Sequence, residues 1–344
     1  MSSTFQQIHA RIGRRGIAAA VLLLLVLLAA VATPQLLGAR VAAALDTVGA
    51  ADARWLWLAG VGFAVSVAAA AGSWRCAIGL CGGRIGVADA CARYGAGSLV
   101  NTFVPARAGD IVRIGLFARV FPDKTRLWTT GGAFAALGAA RAVVLGALVV
   151  AGAIAGVVPL WPLLIALALV TAAVAVALKA RNRQAHGRVS HLLDAFRALG
   201  RQPSGALRLT AWLGLSTLGR LAAATAIGAA LGIQQPFAAA VVIIPALDVA
   251  GLLPLTPGNF GITSGAIAMA LEAHGMSFTN GLAAGIAFHA VETVVGLMFG
   301  MASLVWLAPY PSPAARRVAL LAGAASWSLA IAGAFSATVL DQFV

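Results

Sequence analysis

The stretch that decides the fold is Asn101-Thr-Phe-Val-Pro-Ala-Arg-Ala-Gly-Asp-Ile-Val-Arg-Ile-Gly-Leu-Phe-Ala-Arg119. The chain is 61% hydrophobic and 10% charged, yet Arg107, Asp110, Arg113 and Arg119 all fall here. Arg107, Asp110 and Arg113 recur at a spacing of three, so a helix stacks them along one face. Pro105 and Gly109 break the backbone where the charges begin. The apolar run before them, Tyr94 to Val104, falls short of the roughly 20 residues needed to cross a bilayer. These features predict a re-entrant element: a short apolar dip, a Pro-Gly turn and a charged helix start. Broken backbone at membrane depth survives only where protein or a water-filled cavity surrounds it.

Outward from this stretch, long apolar runs recur along all 344 residues, and mean hydropathy is +0.95. The class is therefore an all-α, polytopic helical membrane bundle forming one unit over residues 1–344. The formal net charge is +14, almost all of it arginine. In a soluble protein that excess points to nucleic acid. In a membrane protein it holds loops in the cytoplasm against anionic lipid, and no nucleic-acid partner is expected. Cys76, Cys81 and Cys91 lie irregularly spaced in one basic loop region and form neither a disulfide framework nor a zinc site. No Walker A, zincin or kinase pattern is present, so neither enzymatic activity nor a cofactor is expected.

Basic residues Arg11, Arg14 and Arg15 precede the first span, Gly16 to Leu37, and place the N-terminus in the cytoplasm. This segment resembles a signal peptide at first, but its apolar character continues past Ala32. Further spans are read at Trp55–Trp74, with Trp55 and Trp57 as an interfacial belt, and at Leu127–Val150. A fourth ends near Leu178, and others cover Leu209–Leu231, Gly281–Leu307 and Val318–Leu340. The loop with Arg75, Arg84, Asp89 and Arg93 counts as inside. So does Lys179–Arg208, whose Val189, Leu192, Leu193, Phe196 and Leu199 recur at the spacing of an amphipathic surface helix. Phe237–Leu271, interrupted by Pro245, Asp248, Gly251, Pro254 and Pro257, must then enter and leave from outside. The sum is about seven full spans, the C-terminus outside, and two broken elements opening from opposite faces. That opposition suggests an inverted repeat with a site near the midplane.

Charges deep in a bilayer cost about 2.5–3.5 kcal/mol even on the mildest scale, so they are the best pointers to function. They are Arg141, Arg220, Asp248, His289 and Glu292, beside Arg107, Asp110 and Arg113 at the turn. Arg141 can pair with Glu292, and Arg220 with Asp248, merely holding helices together. As a set, arginines in a hydrated cavity suit a phosphate-bearing ligand, because guanidinium offers a flat fork of donors. Helix N-termini after Pro105 and Pro257 would add backbone N–H groups. Gly109, Gly258 and Gly261 stand apart from the other glycines by lying at these breaks.

The pattern Asn101-x-x-x-Pro105-x-Arg107-x-Gly109-Asp110-x-x-Arg113 resembles a signature of the flippase-like membrane domain of lysylphosphatidylglycerol synthases, with Asp110 where that family usually has Glu. A second signature, Pro-Gly-Gly-x-Gly-x-x-Glu, is similar to the run from Pro257 to Ser264. Here Asn259 replaces a Gly and Ser264 replaces the Glu. The resemblance implies lipid translocation without the aminoacylation step, since no aminoacyltransferase domain is read before Val344. The expected substrate is a membrane lipid with an anionic head group. Its expected site comprises Asn101, Arg107, Gly109, Asp110, Arg113, Arg141, Arg220, Asp248, Pro257, Gly258, Gly261 and Glu292. The alternative is a non-transporting scaffold that docks an envelope glycosyltransferase or lipid-modifying enzyme through the Lys179–Arg208 surface.

Overall fold

The computed structural model describes residues 43–104, 107–122, 126–157, 201–251 and 261–308, together with the single positions 168, 171, 172, 175, 197, 313, 314 and 317. These residues are mostly helical, with short turns between helices, and contain no strand. The spans expected at Gly16–Leu37 and Val318–Leu340 lie outside them, as do the span before Leu178 except positions 168, 171, 172 and 175 and the amphipathic stretch from Val189 to Leu199 except Arg197.

Eight helices carry the architecture: α1 (Ala53–Leu80), α2 (Val87–Phe103), α3 (Ala108–Ala118), α4 (Arg126–Ile154), α5 (Pro203–Ala230), α6 (Pro236–Ala250), α7 (Ile262–Glu272) and α8 (Phe278–Leu307). Four of them, α1, α4, α5 and α8, have 28 to 30 residues and are apolar enough to cross a membrane. At 1.5 Å per residue each reaches about 42 Å or more, beyond the hydrocarbon thickness of about 30 Å. The other four have 11 to 17 residues.

Named contacts give the directions. The Asp52 N–H, just before α1, donates to Ala230 O at the end of α5. The Cys76 thiol, near the end of α1, approaches Gly205 O at the start of α5. The two helices are therefore antiparallel, and they cross closely. A Cβ on Gly62 would stand 2.8 Å from Gly219 O, and one on Gly219 would stand 2.7 Å from Gly62 O. One turn on, Ser66 and Ser216 share a hydroxyl contact at 3.0 Å. Small residues that let backbones meet are how helices associate where water gives no hydrophobic drive.

Helices α2 and α3 form a hairpin, since Gly97 of α2 meets Gly109 of α3 and Arg93 donates to Leu116 O. Its outer ends lie with the end of α1 and the start of α4, where Trp74 stacks on Phe117 and touches Phe134. Helices α6 and α7 form the second pair. Pro236 at the start of α6 packs on Gly228 near the end of α5. On α7, Ala268 and Ser264 face Gly281 and Gly285 of α8. The α6–α7 pair thus opens at the end of the bundle where α1 begins, and the α2–α3 pair opens at the end where α1 finishes. The order long helix, short pair, long helix runs twice, the second time in the opposite direction.

Two apolar cores result. One joins Phe63, Ile227, Ile243, Ile244, Leu271 and Phe288. The other joins Trp74, Ile78, Phe117, Leu137 and Leu209. The charges sort by end as well. Arg75, Arg84, Arg93, Arg119, Arg126 and Arg208 lie toward the second core, and Asp46, Asp52, Arg54 and Glu272 lie toward the first.

Two expectations change. Helix α2 begins at Val87 rather than at Tyr94, so Asp89 and Arg93 are helical residues rather than loop residues. Their charges are met by protein: Asp89 accepts the Trp306 indole N–H at 2.8 Å, and Arg93 caps Leu116 O. The cysteines likewise fall in helix or at a helix end, with Cys76 in α1, Cys81 at its C-cap and Cys91 in α2.

Candidate functional site

The tip of the first hairpin is knitted by one arginine. Arg113 sends Nε to Tyr94 O at 3.2 Å, one terminal nitrogen to Asp110 Oδ1 at 2.6 Å and the other to Ser98 Oγ at 2.6 Å. Its guanidinium lies over the Tyr94 ring, 4.1 Å from the centroid. Its side chain is only 12% exposed. Asn101 completes the tip: Oδ1 accepts the Gly109 N–H at 2.7 Å, and its amide nitrogen leans toward Asp110 at 3.4 Å. Asn101, Gly109, Asp110 and Arg113 therefore act on one another and hold α2 to α3. The α3 N-terminus does not offer its amides freely to an anion, because Gly109 N–H is taken by Asn101 and Asp110 N–H by Arg107 O.

Arg107 precedes α3 in the left-handed region, at φ 53° and ψ 35°. Its side chain extends to the end of α6, where Nη2 lies 3.0 Å from the place a Cβ on Gly251 would occupy. The carbonyls of Leu247 and Asp248 line the same spot, so the guanidinium sits at the negative end of the α6 dipole. The two broken elements touch here.

One turn back on α6 stands Asp248. Its Oδ1 accepts from Arg141 Nη2 of α4 at 2.7 Å and from Arg220 Nη1 of α5 at 2.8 Å. Arg220 pairs with Asp248 as the sequence suggested, but Arg141 does too, and not with Glu292. The reason is position: the α6 hairpin brings one carboxylate between α4 and α5. Glu292 of α8 and the Tyr94 phenol lie within electrostatic reach of Arg220. The exposures differ sharply, at 49% for the Arg141 side chain against 14% for Arg220 and 16% for Asp248. Asp248 Oδ2 and Arg220 Nε have no hydrogen-bond partner among the described residues. Pro245 lies inside α6 and supplies no N–H to Val241 O, weakening the helix near Asp248.

The structure thus brings Arg107, Arg141, Arg220, Asp248 and Glu292 to one level of the bundle and assigns the other tip residues to the hairpin. Gly261 is the N-cap of α7, at φ 83°. Pro257 and Gly258 lie outside the described residues. Tyr94 and Ser98 belong to the site's support and were not singled out from sequence. Their signal was there: a tyrosine inside an apolar run, four residues from a serine, on the face that Asn101 and Thr102 continue. Among the described residues no group of three His, Cys, Asp or Glu could hold a metal.

No curated protein matches the chain. The family model described as the lysylphosphatidylglycerol synthase TM region matches residues 16–300. With its first signature at the tip of the α2–α3 hairpin and its membrane-spanning helices, this chain belongs to the lysylphosphatidylglycerol synthase TM region family.

Proposed function

We propose that the protein is a lipid translocase, moving a phosphate-bearing lipid such as a phospholipid or polyprenyl-phosphate lipid across the cytoplasmic membrane. The observation that carries this reading is the meeting of Arg107, Arg141 and Arg220, from three separate elements, at the level where the two short-helix pairs touch. Such convergence answers a phosphate oxyanion, because three guanidiniums carry more positive charge than the Asp248 carboxylate neutralises. The twice-run, oppositely directed helix order supports an inverted repeat, with each pair re-entrant from one face and the site between them. The arginine-rich end then faces the cytoplasm. The head group would pass through the cluster while the acyl or prenyl tails stay in the bilayer.

The test is lipid movement in liposomes containing the purified full-length chain, using fluorescent anionic, zwitterionic and polyprenyl-phosphate lipids, with and without an ion gradient. Arg141→Gln is the control, because it leaves the Arg220–Asp248 pair in place. Movement that the variant loses supports the translocase. No movement of any lipid under either condition favours the scaffold, a partner for an envelope enzyme.

A further inference from the structure

We infer that Asp248 is an internal stand-in for the substrate's anion: its carboxylate sits where a head-group oxyanion is held, and the two exchange places on Arg141 and Arg220. The inference rests on the translocase reading for its biological purpose, though not for its chemistry.

Four observations lead to it. The first is the way the carboxylate is used. A carboxylate serving as a permanent clamp between two guanidiniums has two oxygens to spread over them. Asp248 puts both arginines on Oδ1 and leaves Oδ2 without a partner among the described residues.

The second is asymmetry. Arg220 is buried and Arg141 is half exposed. Arg141 makes one hydrogen bond in the described structure, to Asp248, out of the five donors a guanidinium carries. It can turn toward a ligand without Arg220 moving.

The third is where the carboxylate sits. Asp248 lies between Pro245 and Gly251, in the last three residues of α6, which ends at Ala250. That turn is held by fewer backbone bonds than an interior turn. Arg220, by contrast, follows Gly219, whose backbone is pressed against Gly62 and Ser66 of α1.

The fourth is electrostatic. Separating a buried ion pair with nothing in return strands a charge, at several kcal/mol. Exchanging one oxyanion for another keeps an anion on Arg141 and Arg220, and the displaced carboxylate keeps a cation within reach, because the Arg107 guanidinium stands beside the end of α6. It also gives the head group a way to leave, because Asp248 competes for its seat. Glu292 near Arg220 and Arg107 near Gly251 stay in place on either side of the exchange.

The experiment compares wild type, Asp248→Asn and Arg141→Gln as full-length protein in detergent. Thermal unfolding is followed against sodium sulfate at fixed ionic strength and against a short-chain phosphatidylglycerol. Asp248→Asn removes the competing charge and keeps the shape. It should raise the apparent affinity for sulfate and for the lipid by about tenfold, the lower range of ordinary coupling between sites. It should also slow lipid movement in vesicles, because a bound head group is no longer displaced. Anion binding no tighter than wild type overturns the inference and leaves Asp248 as a holder of arginines. Should Asp248→Asn fail to fold, Arg141→Gln decides: it should lose the response to sulfate, and an unchanged response overturns the inference. Tighter sulfate binding by Asp248→Asn, with no lipid moved by wild type, keeps the exchange and removes the translocase.

Discussion

Asn101 and Gly109 are joined across the break of the first hairpin, the Asn101 amide oxygen accepting the Gly109 N–H at 2.7 Å. Beside that bond the Gly97 carbonyl stands where a Cβ on residue 109 would be. The glycine is there for approach rather than for an unusual dihedral. Gly109→Ala should therefore cost about 1–3 kcal/mol, the ordinary toll of overpacking. A denaturation midpoint equal to wild type would show that the hairpin tip yields freely.

Arg113 and Arg107 lie in one signature but should fail differently. Arg113 holds Tyr94, Ser98 and Asp110 together, and Arg113→Ala leaves Asp110 without its cation. A loss of about 3–5 kcal/mol is expected, as for other broken buried pairs. Arg107 is exposed, and its left-handed φ of 53° suits glycine. Arg107→Gly should leave stability within about 1 kcal/mol of wild type and still reduce lipid movement. Chemical unfolding beside a liposome assay separates the two, and equal instability in both variants would refute the division.

The arginines on Asp248 should also rank by burial. Arg220→Ala uncovers a carboxylate deep in the bundle and should cost about 3–5 kcal/mol. Arg141 is half exposed, so Arg141→Ala should cost no more than about 1 kcal/mol. Unfolding midpoints in the reverse order would mean that Arg141 bears the structural load.

His274 ties the end of α7 to the turn after α4. One ring nitrogen lies 2.8 Å from Ala270 O and the other 2.8 Å from Val157 O. His274→Ala should speed amide hydrogen exchange in residues 155–157 and 273–276 while global stability falls by about 1 kcal/mol or less. Unchanged exchange there would remove the tie from the account.

What could be read in advance follows from physical range. Apolar length is local, so the four long helices were legible near Trp55, Leu127, Leu209 and Gly281, and their ends moved by only a few residues. The start of α2 was not legible, because Asp89 and Arg93 look solvated until Trp306 and Leu116 are placed against them. The Pro105–Gly109 break was visible, whereas the role of Arg113 was not. Spacing reports a shared face and is silent about which carbonyls wait across it. Between Glu292 and Asp248 as partners for Arg141, spacing could not choose for the same reason: the actual partner is 107 residues away and reaches it only because α6 stops short.

The backbone contact between Gly62 and Gly219 has a mechanical consequence. Helices pressed that closely cannot slide or part without losing the whole seam, so α1 and α5 behave as one beam. Arg220 is bolted to that beam. Relative motion must then fall to the two short-helix tongues, whose tips rest on each other through Arg107 and Gly251. On the proposed translocase reading, a cycle would be a tilt of tongues about a fixed post, and freezing either tongue should stall it.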